Sequence, residues 1–337
     1  MKSIFLKFTA VILLLVTLLT ACGTPANEPS GDNQTSEEPT TEADTSNDIY
    51  IERENKEIKN ILMIGNSFCN YYVEELCGIA YADGYEITVA NLYKSGAALS
   101  EHYNSFTSDT KISTLFVTTA AEGRKSSARH TVKDTLNFSK KYLGGDWDVI
   151  SLQGNSYNAL IGNLEAEISD NLPYAEKLYD YIRENNPNAS LYWHQSWSYE
   201  IGYGQDESGA VQVNTVEHRT SMYEIKKAGA YKIAEVTGVR IMPTGDAWEI
   251  ARKNELIGTD MCKRLSINNG EGDYYHDGDI GGGQYLNACV WYEVLMGKSC
   301  VGNTWRPTYE LSEEKIAILQ AAAHEAVAAV YGPGYAK

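Results

Sequence analysis

The chain has 337 residues, 43% of them hydrophobic and 22% charged, with a formal charge of −17. That is enough apolar material for one α/β domain or two small ones. The acidic balance excludes a general grip on nucleic acid and argues against polyanionic substrates or direct adhesion to anionic lipid; a neutral substrate fits better.

Lys2 and Lys7 precede an apolar run from Phe8 to Leu19 that closes on Leu19-Thr20-Ala21-Cys22. The run is too short for a comfortable membrane span, and its ending has the form at which a bacterial lipoprotein signal is removed and the cysteine is lipidated. Residues 1–21 are therefore predicted to be a signal peptide and Cys22 a lipid anchor, where each buried methylene contributes about 0.8 kcal/mol. Gly23 to Asp48 carries seven acidic and no basic residues, with almost no large apolar side chain. Such a segment has no core to bury, so residues 22–50 are predicted to be a disordered tether and 51–337 the folded domain. Setting aside the seven negative charges of the tether and the two positive charges of the leader takes −17 to −12 for that domain. Its five cysteines, Cys69, Cys77, Cys262, Cys289 and Cys300, are odd in number and lack Cys-x-x-Cys spacing. They read as small buried hydrophobes, with room for one disulfide in an extracytoplasmic setting.

In chain order, strand-like apolar runs occur at Ile61 to Ile64, Ile87 to Leu92, Trp147 to Leu152, Ser190 to Trp193 and Val239 to Met242. Segments of helical spacing lie between them, such as Val73, Leu76, Cys77 and Ala80, or Leu178, Tyr179 and Ile182. Gly84, Pro187 and Gly238 sit where helices stop before the next strand. This alternation predicts a parallel sheet covered by helices on both faces. Ile112 to Thr119, followed by Glu122 to Ser127, reads as an inserted hairpin or a loop over the sheet edge. Near the end, Ser312 as N-cap, Glu313 and Glu314 in the first turn, and Ile316, Leu319, Ala323, Val327 and Val330 on one face predict a packing helix, with His324 a solvated or packing residue.

Ser67, Gly96, Gln153, Asn155 and His194 all fall just after a predicted strand, where the crevice of a doubly wound sheet collects its functional groups. A serine hydroxyl is a weak nucleophile until an imidazole takes its proton, and a carboxylate holds that imidazole in one tautomer. Asp273 and His276, three residues apart, supply both partners from one loop. The Ser67 amide, the Gly96 amide and the side chain of Gln153 or Asn155 are available to an oxyanion, with Gln153 favoured. His194 and Trp197, in the aromatic run Tyr192 to Tyr199, are candidate substrate contacts. Taken singly, Ser67 could be a helix N-cap, Gly96 a turn glycine, and Asp273 to Asp279 a polar loop. Cys69 reads as packing. No metal site is predicted, because neither converging oxygens nor histidines at zinc spacing are evident.

Gly65-Asn66-Ser67, Ser95-Gly96, Gln153-Gly154-Asn155 and Asp273-x-x-His276 come in the order of the four blocks of the SGNH (GDSL-like) hydrolase superfamily, which the chain resembles from about Asn60 to Gly297. The text around the blocks, including the Gly283 to Glu293 run, looks like a little-characterised bacterial branch. The resemblance implies a three-layer α/β/α, flavodoxin-like domain that hydrolyses esters through an acyl-serine without metal or organic cofactor. It implies Ser67 as nucleophile, His276 as base, Asp273 as its orienter and Gly96 as an oxyanion donor. Asn66 stands where the family has aspartate, and Gln153-Gly154-Asn155-Ser156 where it has Gly-x-Asn-Asp. An α/β-hydrolase elbow is excluded by Cys69 at its second glycine position.

The leading expectation is a serine esterase tethered at the bacterial surface that removes acyl, most simply acetyl, groups from a glycan. The alternatives are a glycan-binding lipoprotein without turnover and a lipid or thioester hydrolase of the same fold.

Overall fold

A computed structural model describes residues 57–108, 112–120, 127–132, 143–204, 211–264 and 272–337. The predicted signal peptide, Cys22, the tether and the segment 121–126 lie outside the described residues.

Among the described residues, seven strands form one sheet: β1 (Asn60–Gly65), β2 (Thr88–Tyr93), β3 (Thr114–Ala120), β4 (Ser127–Val132), β5 (Val149–Leu152), β6 (Ser190–His194) and β7 (Arg240–Met242). Their order is β4-β3-β2-β1-β5-β6-β7. The five strands from β2 to β7 through β1, β5 and β6 are parallel. Beyond β2, the antiparallel pair β3 and β4 extends the edge as a hairpin. The chain runs outward from β1 to β2, then returns to place β5 on the other side of β1, so the strand order reverses between β1 and β5. In an open α/β sheet the groups beyond the carboxyl ends at such a reversal face a ready-made crevice.

The pleat sorts the core. Ile61 and Met63 of β1 face one apolar cluster, and Leu62 and Ile64 face the other. On the first face pack α1 (Val73–Ala82), α6 (Thr244–Ala251), α7 (Gly283–Met296) and α8 (Glu313–Tyr331). On the second lie α2 (Leu99–Ser108), α4 (Leu164–Asn185) and the Ala230 and Ile233 side of α5 (Val216–Thr237). A single turn, α3 (Tyr157–Leu160), follows β5. The result is the three-layer α/β/α, flavodoxin-like arrangement. Every residue of α7 is buried, as expected of a helix apolar on all sides. Local chemistry sets the boundaries: Ser312 caps α8 through the Lys315 amide, and Gly238 ends α5 in the left-handed conformation at φ 69°. Among the described residues the five cysteines are buried and none forms a disulfide. The His324 Nδ1 lies 3.1 Å from the buried carboxylate of Glu293.

Candidate active site

β1 ends at Gly65, and the next two residues deliver Ser67. The turn is held from three sides. The Asn66 amide donates to Gln153 Oε1 at 3.1 Å, the Asn66 side-chain oxygen accepts from the Phe68 amide at 3.2 Å, and Asn66 Nδ2 donates to the Ala97 carbonyl at 3.2 Å. That last bond requires an amide, because a carboxylate has no proton to give, so asparagine in place of aspartate ties the serine turn to the Ser95-Gly96-Ala97 loop. Behind it, His102 Nε2 donates to the Gly65 carbonyl at 3.1 Å; burial pushes this imidazole down to about 4 and keeps it neutral. Ser67 opens a 3-10 turn, Ser67–Cys69, and α1 begins only at Val73. The serine thus precedes α1 by one short turn, and its amide is among those with no intrahelical partner.

The second carboxyl-end loop, after β2, carries Gly96 at φ +64°, where a glycine relieves strain; an added Cβ there would meet nothing within 4 Å. Asp273 and His276 come from the loop before α7. Asp273 Oδ1 accepts from the His276 amide at 2.9 Å and the Tyr275 amide at 3.3 Å, while Oδ2 accepts from His276 Nδ1. Burial of Asp273 opposes its ionisation, but the His276 ring and the two amides outweigh it and hold the carboxyl below its usual range. With Nδ1 donating, Nε2 is left as the acceptor. The imidazole sits against Tyr275, Tyr71 and Phe68, with ring centroids 4.0, 5.1 and 5.6 Å away.

Ser67, Gly96, Asn155 and His276 line one cleft of about 230 Å³, walled by Phe68, Leu160, Tyr199, Tyr203 and Tyr275 with Tyr157 at its side. No hydrogen bond joins His276 Nε2 to the Ser67 hydroxyl in this structure. Unliganded sites often hold such pairs loosely until substrate arrives.

The two amides after β5 differ. Gln153 is buried, with its oxygen accepting from the Asn66 amide and its nitrogen donating to the Gly154 carbonyl. It buttresses the serine turn and does not line the cleft. Asn155 does line it, and because its Oδ1 accepts from the Tyr157 amide at 3.0 Å, its NH₂ is the end left to donate.

His194 and Trp197, read from sequence as substrate contacts, are in the core instead. His194 donates from Nε2 to Thr244 Oγ1 at 2.9 Å, and burial pushes it down to about 3. Trp197 stacks on Trp248 at 4.5 Å, meets Phe68 edge-on at 4.9 Å, and donates to the Tyr275 carbonyl at 2.9 Å. It supports the His276 loop from behind. Of the cleft aromatics, Tyr199 ends the aromatic run to which the sequence points, while Tyr157, Tyr203 and Tyr275 carry no signal beyond lying within a few residues of that run or of a candidate site residue. A larger hollow of about 460 Å³ between α5, α6 and α8 holds none of these groups; its lining, including Tyr223, Lys227, Asp246, Glu249 and Arg252, is largely engaged in ion pairs and hydrogen bonds. Among the described residues, no helix is long and apolar enough to cross a membrane.

No curated protein is a significant sequence match. Among solved structures, a DUF4886 family protein from Bacteroides uniformis is 24% identical and covers 83% of this chain and 97% of its own, with a TM-score of 0.64. A putative GDSL-like lipase from Parabacteroides merdae is 14% identical, covering 71% and 96%, with a TM-score of 0.44. The phospholipase A1 of Streptomyces albidoflavus is 13% identical, covering 71% and 98%, with a TM-score of 0.41. Residues 60–326 match the profile of DUF4886, a domain of unknown function, and the chain belongs to that family.

Proposed function

We propose that this protein is a serine esterase that removes short acyl groups from a carbohydrate outside the cytoplasm. The observation that carries the reading is one cleft lined by Ser67, Gly96, Asn155 and His276, with Asp273 paired behind the imidazole. In this reading Ser67 Oγ attacks the ester carbonyl while its proton passes to His276 Nε2. The oxyanion is met by the Ser67 and Gly96 amides and by Asn155 Nδ2, with Asn155 preferred to Gln153 because only the former lines the cleft. His276 then gives the proton to the departing alcohol, and a water activated by the same ring releases the acid from the serine.

Two features support a small acyl group on a ring-bearing alcohol. A cleft of about 230 Å³ is smaller than the ~300–1,000 Å³ that accommodate drug-sized ligands, which disfavours a long acyl chain. Tyr157, 59% exposed, offers an aromatic face at the same cleft for a sugar ring. The acidic domain suits a neutral polymer. The leader and Cys22 support a lipid anchor, with the 22–50 segment as spacer.

Purified protein lacking the signal should release acetate from an acetylated polysaccharide and hydrolyse a short-chain aryl ester. Ser67→Ala should lose nearly all of both rates; an unchanged rate would refute the assignment. The unbonded His276 Nε2 favours, as a second reading, a glycan binder without turnover. That reading predicts ligand-dependent stabilisation of the wild type without acetate release.

A further inference from the structure

Away from the cleft, one buried ion pair has no part in the chemistry described so far. Lys226 on α5 and Glu167 on α4 meet at 3.2 Å, each side chain 4% exposed. The Lys226 ammonium also donates to the main-chain carbonyl of Asn155 at 3.1 Å. Burial raises Glu167 above its usual range in spite of the nearby lysine, so the ionised pair is held at a cost. A pair of this kind is weak evidence for stability, because apolar residues of the same volume often do as well or better in its place. What it does here is grip Asn155.

The surroundings are shaped for that grip. A Cβ on Gly229 would lie 2.9 Å from Glu167 Cγ, so the absence of a side chain on α5 makes room for the carboxylate. One turn along α4, Asn171 donates to the Glu167 carbonyl at 2.8 Å, and its oxygen would lie 2.5 Å from a Cβ on Gly154, the neighbour of Asn155. His218, two turns before Lys226 on α5, donates to the Leu160 carbonyl at 2.7 Å. The segment from Asn155 to Leu160 is thereby tied to α5 at both ends. Asn155 is then fixed twice, by Lys226 at its carbonyl and by the Tyr157 amide at its Oδ1. Its NH₂ is the end that remains free to donate.

We propose that the Lys226–Glu167 pair is a positioning device for Asn155, holding its side-chain amide where the acyl oxygen becomes negative. The inference rests on the reading of Asn155 as an oxyanion donor. Neither charged residue lines the cleft.

The test is steady-state hydrolysis of a short aryl ester by Lys226→Met/Glu167→Leu, Asn155→Ala, and the triple variant, with Tm measured for each. Removing an oxyanion donor costs roughly 100- to 1,000-fold in kcat, and a donor misplaced by about 1 Å loses a large part of that. The charge-free pair should therefore retain Tm and KM but lose about 10- to 100-fold in kcat. Adding Asn155→Ala to it should cost much less than in the wild type, a non-additivity that a merely structural role would not produce. Glu167→Gln, which can still accept from Lys226, should keep most of the rate. Wild-type kcat in the charge-free variant, or an undiminished Asn155→Ala effect within it, overturns the proposal. If Asn155→Ala alone leaves kcat unchanged, the oxyanion assignment fails first. Should the charge-free chain not fold, Gly229→Ala keeps both charges and displaces Glu167; a lowered kcat at constant KM supports the proposal, and wild-type kcat refutes it.

Discussion

Replacing Asp273 with asparagine should abolish turnover while leaving the fold intact, and the hydrogen bonds dictate why. Asp273 Oδ1 faces two amide donors, those of Tyr275 and His276, whereas among the described residues Oδ2 faces His276 Nδ1 alone. An asparagine at this position keeps its oxygen toward the two amides, so its NH₂ points at Nδ1. The ring must then accept at Nδ1 and carry its proton on Nε2, the atom that takes the proton of Ser67 in the proposed mechanism. A base held in the wrong tautomer costs about 10,000-fold in kcat. That is about 5.4 kcal/mol of transition-state stabilisation at ~1.36 kcal/mol per decade. The assay is steady-state hydrolysis of a short aryl ester by wild type and Asp273→Asn, with Tm in parallel. A variant retaining more than about a tenth of wild-type kcat, far above the loss expected for a wrong tautomer, would show that this carboxylate does not set the state of the imidazole.

Other consequences follow from neighbouring features. Burial pushes Glu75 up from 4.5 to about 8. The folded state therefore binds a proton that the unfolded chain has released, and stability falls as pH rises from about 4.5 to 8, by about 5 kcal/mol in all. Glu75→Gln should remove most of that slope; urea unfolding at pH 5 and pH 8 measures it, and an equal difference from wild type at both would contradict the argument. Gly65→Ala would place a Cβ 2.7 Å from Gln153 Oε1 and 3.2 Å from Cys69 Sγ. Overpacking of this kind costs about 1–3 kcal/mol, and here it also shifts Ser67, so both Tm and kcat should drop. Tyr157→Ala should raise KM for an acetylated polysaccharide about two- to tenfold, the equivalent of about 0.5–1.5 kcal/mol of stacking, and leave aryl acetate hydrolysis alone. Tyr157→Phe should behave as wild type, and an unchanged KM in the alanine variant would remove Tyr157 from the substrate.

The parallel strands and the caps were legible in the sequence because they depend on near neighbours. Alternating and continuous apolar runs mark β1, β2, β5, β6 and β7 to within two residues at each end. Ser312 and Gly238 act through bonds to residues three or four positions away. The pairing of Asp273 with His276 was legible for the same reason, since three residues of one loop span it.

Side-chain direction beyond a strand end was not legible. Gln153 and Asn155 are both amides just past β5, and only the path of the chain beyond the strand decides that the first turns behind the serine and the second lines the cleft. His194 and Trp197 lie in an aromatic run whose composition is the same whether it faces substrate or core, and packing against Thr244 and Trp248 decides for the core. The grip of Lys226 on Asn155 spans 71 residues, and its partner Glu167 is 59 away, separations at which sequence carries no spacing signal. Local hydrogen bonding and hydrophobic period thus determined which elements form and which loops carry the candidate site groups. The reversal of strand order between β1 and β5, and the packing of α4 against α5, decided which of those groups share one cleft, because that depends on contacts between segments whose separation along the chain is unrelated to their distance in space.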